Sequence, residues 1–419
     1  MAQTLLSLLT ICIAVVTAYG TQQTANPDEI TSLPGLKAQP KFKQYSGYLN
    51  VDNDGVTLYN NEYSWNKAAN VIFLEAPAGV GFSYSDDKNY TTDDDQTATD
   101  NYAALQHFFV KYPAFVNNSF YITGESYGGI YVPTLSMKVM KGAANINMKG
   151  FAVGNGLSSR ELNDNSLVYF AYYYGVFGDD LWTNLNDYCC NQGVCNFHNN
   201  TDANCQLALH QVNHFVFDAG LNEYALYMDC AGGIPPHYYR YRNDMKNVFS
   251  FYHFELPKWK PHKVNSNDSS KNTLGGVPPC LNVTAITNFL NQENVRKALH
   301  IPSNLPTWAM CNDNIPYTST YDTMYDQYKA LLQKYKGLVY NGDTDMACNF
   351  LGDQWFVESL NLKETQKRQA WIYKKQVAGF YHRYENITFA TVKGSGHMVP
   401  QWKPGPAYQM ITNFLAGIF

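Results

Sequence analysis

The sequence predicts an α/β protein with a doubly wound, mostly parallel sheet. In the 419-residue chain, β-rich apolar runs alternate with stretches of helical apolar spacing, which is the pattern of such sheets. A serine stands between one of these strands and the next helix, and an aspartate pair and a histidine each follow a later strand. Since α/β sheets carry their chemistry at the carboxyl ends of their strands, these positions also predict where a site forms.

The strands and helices follow from apolar spacing. Residues 71–74 (Val-Ile-Phe-Leu) predict a buried strand that leaves into the loop 76–79. The next stretch predicts a helix that Pro113 ends, because its apolar residues recur at helical spacing: Ala98, Tyr102, Leu105 and Phe109. The remaining predicted elements are strands at residues 120–123, 337–340 and 387–392 and a helix at residues 130–140.

The chain divides into a leader, a two-part core and an insertion. Residues 5–18 are almost all apolar and end in Ala18-Tyr19-Gly20, which predicts a secretory signal peptide over residues 1–20. A membrane anchor is the alternative, but the run is shorter than the roughly 20 residues that span a bilayer. The remaining boundaries are a core part at residues 21–157, a cap insertion at residues 158–280 and a second core part at residues 281–419.

The composition favours a soluble glycoprotein of the secretory route. A formal net charge of −5 offers no basic face for nucleic acid, and no later apolar run is long enough for a membrane span. Six N-x-[ST] sequons lie in polar stretches, which predicts glycosylated surface loops. The acceptor residues are Asn89, Asn117, Asn199, Asn267, Asn282 and Asn386.

The cysteines predict disulfides. Cys12 belongs to the predicted signal, so eight of the nine cysteines enter an oxidising compartment, where pairing is the default. Four of them cluster in the insertion: Cys189, Cys190, Cys195 and Cys205. The cluster predicts a disulfide knot, whereas a zinc site is disfavoured by the adjacent cysteines and by the compartment. No metal and no organic cofactor is predicted.

A polar stretch closes the insertion. Within residues 258–276, the segment 263–271 is low in apolar residues and is therefore predicted to be mobile and accessible to proteases. A maturation cut and a plain linker are the two interpretations, and the sequence alone favours the linker.

The segment Gly124-Glu125-Ser126-Tyr127-Gly128 predicts a nucleophile elbow. It joins an apolar strand to an apolar-periodic helix, so Ser126 lies where the chain turns sharply. We expect the flanking glycines to be needed because side chains there would clash in so tight a turn.

A serine hydroxyl needs a base, and the base needs an acid group that holds its tautomer. His397 follows one late strand, and Asp343 and Asp345 follow another. An ordinary loop histidine and turn aspartates are the alternatives, and one aspartate is expected to serve the turn and the other the triad. The chain order Ser, Asp, His is typical of α/β-hydrolases.

Several motifs in one order carry a resemblance. They are residues 74–84 (LEAPAGVGFSY), 124–129 (GESYGG), 153–156 (VGNG), 342–349 (GDTDMACN) and 396–400 (GHMVP). Together they resemble the serine carboxypeptidases, most of all the lysosomal branch of that family, over most of the mature chain. The resemblance implies an α/β-hydrolase fold with a disulfide-bonded cap.

The resemblance also implies residue roles. Ser126 is expected to be the nucleophile, His397 the general base and Asp345 its orienting partner. The backbone N–H of Tyr127 would be one oxyanion donor. Glu125 would help to bind the terminal carboxylate of the substrate, which a carboxyl does when protonated; its pKa should therefore be raised, in keeping with an acidic working pH.

By the same resemblance the cysteines pair as Cys189 with Cys205, Cys190 with Cys195, and Cys230 with Cys280. Cys311 and Cys348 are left as thiols. In the family, the residue that matches Cys348 is a thiol near the substrate pocket, and the one that matches Cys311 bridges to an early cysteine that this chain lacks.

One family segment has no counterpart in the chain. Several dozen residues are missing between the matching stretches 45–49 and 54–58, including two strands and the loop with the second oxyanion N–H. Loss of one oxyanion donor costs about 10²- to 10³-fold in rate. We also expect the strand at residues 71–74 to lose its sheet neighbours.

The function implied is a serine-type carboxypeptidase that removes C-terminal residues from peptides at acidic pH, in the lysosome or outside the cell. One alternative is a catalytically impaired isoform or partial gene product that keeps a protective or binding role. An esterase of the same fold is the other, which Glu125 disfavours. The expected partners are peptides with a free C-terminus; lysosomal glycosidases and a second copy of the chain are further candidates.

Overall fold

The computed structural model describes residues 61–233, 280–312 and 314–419, and the backbone of four earlier strands. These strands are β1 Leu5–Leu6, β2 Ala14–Thr17, β3 Tyr48–Asp52 and β4 Gly55–Tyr59. β3 pairs with both β1 and β4 in a small antiparallel sheet. The polar segment 263–271 and the sequon at Asn267 lie outside the described residues.

The later strands are β5 Asn70–Phe73, β6 Thr92–Asp93, β7 Phe120–Ser126, β8 Met148–Gly156, β9 Cys190–Asn191, β10 Val194–Cys195, β11 Tyr317–Thr318, β12 Lys336–Gly342, β13 Glu364–Tyr373, β14 Gln376–Tyr384 and β15 Ile387–Val392. Among the described strands, the main sheet has the order β13-β14-β15-β12-β8-β7-β2-β5. β7, β8, β12 and β15 run parallel to their neighbours within this group. The predicted α/β sheet is therefore confirmed, with antiparallel strands added at both edges.

The helices are α1 Asp94–Lys111, α2 Gly128–Lys141, α3 Arg160–Tyr173, α4 Asp179–Cys189, α5 Ala203–Asn213, α6 Thr284–Leu290, α7 Glu293–Ala298, α8 Tyr325–Leu331, α9 Phe350–Ser359, α10 Val399–Trp402 and α11 Pro404–Leu415. α1 is the helix predicted before Pro113. Its N-cap Asp93 accepts a hydrogen bond from the backbone of Gln96, and Leu105 and Phe109 are buried.

Helices cover both faces of the main sheet because alternate strand residues point to opposite sides. Ile122, Val153 and Val339 belong to the core that also contains buried residues of α2, α8 and α9. Their sequence neighbours Tyr121, Ala152 and Leu338 pack on the other face, in the core that contains α11. The parallel strands are apolar on both faces for this reason.

The cap is helical. α3, α4 and α5 share a separate apolar core, and the structure places a disulfide between Cys189 and Cys205 and another between Cys190 and Cys195. A third disulfide joins Cys230 to Cys280. Residues 234–279 of the predicted cap lie outside the described part of the chain.

The strand predicted at residues 71–74 differs from expectation in two ways. The sequence predicts a buried strand, but β5 is an edge strand among the described strands and Phe73 is 42% exposed. It was also expected to lack neighbours, but β2 pairs antiparallel with both β5 and β7. β2 has the sequence Ala-Val-Val-Thr, which suits a strand, and it comes from the predicted signal peptide.

Candidate active site

Ser126 lies at a strained turn between β7 and α2. It is the last residue of β7, and α2 begins at Gly128. Its φ is +64°, a left-handed conformation that is costly for a residue with a Cβ atom. The strain is held in part by a hydrogen bond of 2.9 Å from the backbone of Leu157 to the Ser126 carbonyl. This geometry is that of a nucleophile elbow.

The first turn of α2 leaves no room for a side chain at Gly129, whereas the clash expected at Gly128 is absent. A Cβ atom at Gly128 would come no closer than 4.0 Å to Val132, so a side chain there would not clash. A Cβ atom at Gly129 would lie 2.5 Å from the backbone nitrogen of Leu157. The close approach is therefore between the first turn of α2 and the end of β8, one residue beyond the predicted position.

The structure brings His397 and Asp345 together. His397 Nδ1 lies 2.7 Å from Asp345 Oδ2, and both side chains are buried. Asp345 also accepts hydrogen bonds from the backbone N–H groups of Ala347 and Cys348. Burial lowers the pKa of His397, but the charge and hydrogen bond of Asp345 raise it, and the net direction is upward. Asp345 therefore orients the imidazole and stabilises its protonated form.

Asp343 lies in the turn, the role that the sequence predicts for one of the two aspartates. Its Oδ1 accepts a hydrogen bond of 2.6 Å from the backbone of Gly394, and its carbonyl accepts one of 2.6 Å from the Tyr174 hydroxyl. The first contact joins the two loops that carry Asp345 and His397, and the second joins the Asp343 loop to the end of α3. Asp343 is thus a structural residue of the turn.

The base and the nucleophile are not hydrogen-bonded in this state. His397 Nε2 is buried and has no hydrogen-bond partner among the described residues. The Cys348 thiol, whose pKa burial raises, lies beside the Ser126 side chain. In structures without a substrate, catalytic hydrogen bonds are often long or poorly aligned and tighten only when the substrate binds.

Two carboxyls near Asp345 and His397 are held protonated at acidic pH. Burial raises the pKa of Glu125 to about 7, an effect that His397 opposes and Asp345 reinforces. Burial and Asp345 likewise raise the pKa of Glu223 to about 7. A protonated carboxyl can donate a hydrogen bond to a carboxylate, so Glu125 is chemically suited to the predicted role.

Sequence reasoning missed three positions at this site. Asn155 donates a hydrogen bond of 2.9 Å from Nδ2 to Asp345 Oδ2. The Tyr224 carbonyl accepts a hydrogen bond of 2.7 Å from the backbone of His397, and its ring lies edge-on to the imidazole. Glu223 precedes it. The Asn-Gly pair at the end of β8 was a usable signal for Asn155, but a lone Glu-Tyr pair in the insertion gave none.

Tyr127, the predicted oxyanion donor, is the N-cap of α2. Among the described residues, neither Cys311 nor Cys348 forms a disulfide. The described sequon residues are exposed: Asn89, Asn117, Asn199, Asn282 and Asn386. Within the described parts of the chain, no cluster of side chains could hold a metal ion, and no helix combines the length and hydropathy that a membrane span requires.

Comparison with known proteins identifies the family. The sequence profile of the serine carboxypeptidases matches residues 51–417. The mouse lysosomal protective protein is 44% identical, with 99% of each chain covered. A Caenorhabditis elegans protein, serine carboxypeptidase ctsa-4.1, is 35% identical, with 98% of each chain covered. These matches confirm the resemblance drawn from the motifs.

A solved structure shows the same fold. The Saccharomyces cerevisiae prohormone-processing carboxypeptidase Kex1 matches with a TM-score of 0.62 at 18% identity, covering 88% of this chain and 78% of that one. The predicted α/β-hydrolase architecture is thereby confirmed.

The comparison with the mouse protein also bears on the missing segment. The alignment has 477 positions and the chain 419 residues, so at least 58 positions have no counterpart in this chain. The relatives are nevertheless matched over nearly their whole length. The alternative of an impaired isoform or partial gene product is not favoured, and the chain belongs to the serine carboxypeptidase family.

Proposed function

We propose that Ser126, His397 and Asp345 carry out the carboxypeptidase reaction in this chain through an acyl-enzyme. The observation that supports this most directly is the buried hydrogen bond between His397 Nδ1 and Asp345 Oδ2, beside a serine held at φ +64°. A base oriented in this way, next to a serine at an elbow, is the arrangement that acyl transfer requires.

The reaction has two halves, formation of the acyl-enzyme and its hydrolysis. His397 Nε2 removes the Ser126 proton while Oγ attacks the last peptide carbonyl of the substrate, and the Tyr127 N–H stabilises the negative oxygen. The imidazolium then protonates the departing amine, so the C-terminal residue leaves and an ester remains on Ser126. In the second half water attacks the ester carbonyl while His397 takes a proton from it. His397 then returns this proton to Ser126 Oγ as the acyl–oxygen bond breaks, and the shortened peptide is released.

Glu125 accounts for the preference for a free C-terminus. Its raised pKa, about 7, keeps it protonated in an acidic compartment, where it donates a hydrogen bond to the substrate carboxylate. Above that pH its own charge would repel the carboxylate. An acidic working pH follows from this one carboxyl.

We place the protein in the secretory route and the lysosome. The support is the predicted signal peptide, the exposed sequons and the name of the mouse relative, the lysosomal protective protein. Lysosomal glycosidases and a second copy of the chain are the partners we propose on the same resemblance.

The test uses the full chain expressed through a secretory pathway. Stoichiometric labelling by a fluorophosphonate and hydrolysis of an N-blocked dipeptide are measured at acidic pH, for wild type and for Ser126→Ala. We expect labelling and turnover in the wild type and neither in the variant. The same dipeptide with an amidated C-terminus is the control: equal turnover of both substrates would favour an esterase or amidase, and no labelling would overturn the proposal.

A further inference from the structure

A buried carboxylate lies behind the nucleophile elbow, outside the triad. Asp94, the first residue of α1, is fully buried. Its Oδ1 accepts hydrogen bonds from the hydroxyl groups of Tyr127, at 2.9 Å, and Tyr317, at 2.6 Å. Its Oδ2 accepts a bond of 2.6 Å from the backbone of Thr320 and a longer one from Tyr321. Such a carboxylate is fully satisfied by fixed donors, which makes it a rigid acceptor.

The hydroxyl group and the ring of Tyr127 are both held by neighbouring side chains. The Ser319 hydroxyl lies 2.9 Å from the Tyr127 phenol oxygen that donates to Asp94. The Tyr127 ring packs edge-on against Tyr131 and Tyr317, at centroid distances of 5.0 and 5.9 Å. The Arg160 guanidinium lies 5.9 Å from the centre of the same ring. A side chain so fixed restricts the backbone to which it is attached.

That backbone is the part of the elbow that matters for the chemistry. Tyr127 follows Ser126 directly, and its N–H is the oxyanion donor that the sequence retains. Preorganised donors stabilise a transition state because they need no reorganisation when charge develops. A chain without the second donor depends more strongly on the placement of the first.

We propose that Asp94 is a positioning residue that anchors Tyr127 and so fixes the oxyanion N–H and the nucleophile. The inference rests on the proposed function of Ser126 and Tyr127. A purely structural role is the competing explanation, in which Asp94 only ties α1 to the segment that contains β11.

A matched pair of variants separates the two explanations. Tyr127→Phe and Tyr317→Phe each remove one phenol donor from the same Asp94 oxygen and keep the ring, but only Tyr127 belongs to the elbow. Ser319→Ala controls for the second contact of the Tyr127 hydroxyl. Asp94→Asn keeps the size of the side chain but replaces one acceptor oxygen by a donor that faces other donors.

We expect Tyr127→Phe and Asp94→Asn to lower kcat and the rate of fluorophosphonate labelling at least about tenfold, with KM within about twofold, as a misplaced catalytic group does. Tyr317→Phe should lower the unfolding temperature and leave kcat within about twofold. Equal kcat values for the two tyrosine variants, or an unchanged kcat in Asp94→Asn, would overturn the proposal.

Hydrogen exchange provides a readout that does not require activity. The amides of residues 126–128 should exchange faster in Tyr127→Phe and Asp94→Asn than in the wild type. In Tyr317→Phe their exchange rates should equal those of the wild type. If the wild type neither labels nor turns over substrate, the proposed function fails, and exchange alone decides the role of Asp94. Identical exchange at the elbow in all variants would then refute it.

Discussion

Asn155 and His397 both donate a hydrogen bond to one oxygen of Asp345. The Asn155 Nδ2 and the His397 Nδ1 lie 2.9 and 2.7 Å from Asp345 Oδ2. Asn155 Oδ1 in turn accepts a hydrogen bond of 2.9 Å from the backbone of Gly342. A single buried amide therefore ties the end of β8 to the end of β12 and to the acid of the proposed triad.

Replacement of this amide should damage both the catalytic geometry and the fold. Asn155→Ala leaves Asp345 with one donor fewer and the buried Gly342 N–H without its partner, which costs about 1–3 kcal/mol of stability. We expect kcat to fall at least about tenfold. The measurement is kcat beside denaturant unfolding. Asn186→Ala is the control, since its Nδ2 donates a hydrogen bond to the Trp182 carbonyl within α4 and does not contact Asp345 or His397 in the described structure; an equal loss of kcat in both variants would contradict the assignment.

The pH dependence of KM should report the ionisation of Glu125. Burial raises its pKa to about 7, so the side chain is a donor below that pH and an anion above it. KM for a blocked dipeptide should therefore rise as the pH passes through about 7. In Glu125→Gln the amide donates at every pH, and KM should be flat over the same range. A wild-type KM that does not change between pH 5 and pH 8 would contradict this role.

The stability of the protein should be greatest at acidic pH. Burial raises the pKa of Asp353 to about 7, as it does for Glu125 and Glu223. A carboxyl with a raised folded-state pKa binds its proton more tightly when folded. Its contribution is therefore complete below the unfolded pKa of about 4 and is lost as the pH rises through about 7.

We accordingly expect the unfolding temperature to be higher at pH 5 than at pH 8. Asp353→Asn should reduce this difference, because an amide does not titrate. The amide oxygen can still accept the hydrogen bonds that Asp353 accepts from Asn341 and Gly156 through one oxygen. Thermal unfolding at both pH values tests the point. The prediction is wrong if the variant has the same pH dependence as the wild type.

The elbow should tolerate no side chain at Gly129. A methyl group there would meet the Leu157 backbone at 2.5 Å, so Gly129→Ala must displace either α2 or the end of β8. We expect a loss of stability of about 1–3 kcal/mol. Gly178→Ala is the matched control, since a methyl group on Gly178 would have no atom within 4 Å and its φ is −101°. Equal unfolding midpoints for the two variants would contradict the packing.

The mass of the secreted protein should show where its chain starts. The predicted signal peptide covers residues 1–20, and the same segment contains β2, which lies between β5 and β7. We expect cleavage after Gly20 and therefore loss of β2 from the mature sheet. Intact mass spectrometry measures this directly. A secreted chain that retains Ala14–Thr17 would show that these residues serve the fold and not export.

Local sequence patterns were enough to predict several secondary-structure elements and the chain order of the candidate site residues. The elbow, the predicted helix before Pro113, the strand Ile387–Val392 and the Ser, Asp, His order all follow from short apolar periods and turn residues. Such patterns are set by neighbours in sequence, so they are visible without the fold. The hairpin β13–β14 was not predicted, because most of β13 is polar and exposed. Its strand conformation is stabilised by pairing with β14, which its composition does not indicate.

Motifs and apolar patterns in the chain were sufficient to assign the family, the fold class and the candidate nucleophile and base. The residues alone left open which of Asp343 and Asp345 serves the triad, and the family resemblance named Asp345. The tertiary structure shows the Asp345–His397 hydrogen bond and the Asp343–Gly394 contact, and it alone reveals that Asn155 and Tyr224 support the pair. The reason is physical: these contacts join segments far apart in the chain, and burial, which raises the pKa of Glu125, exists only once those segments have packed.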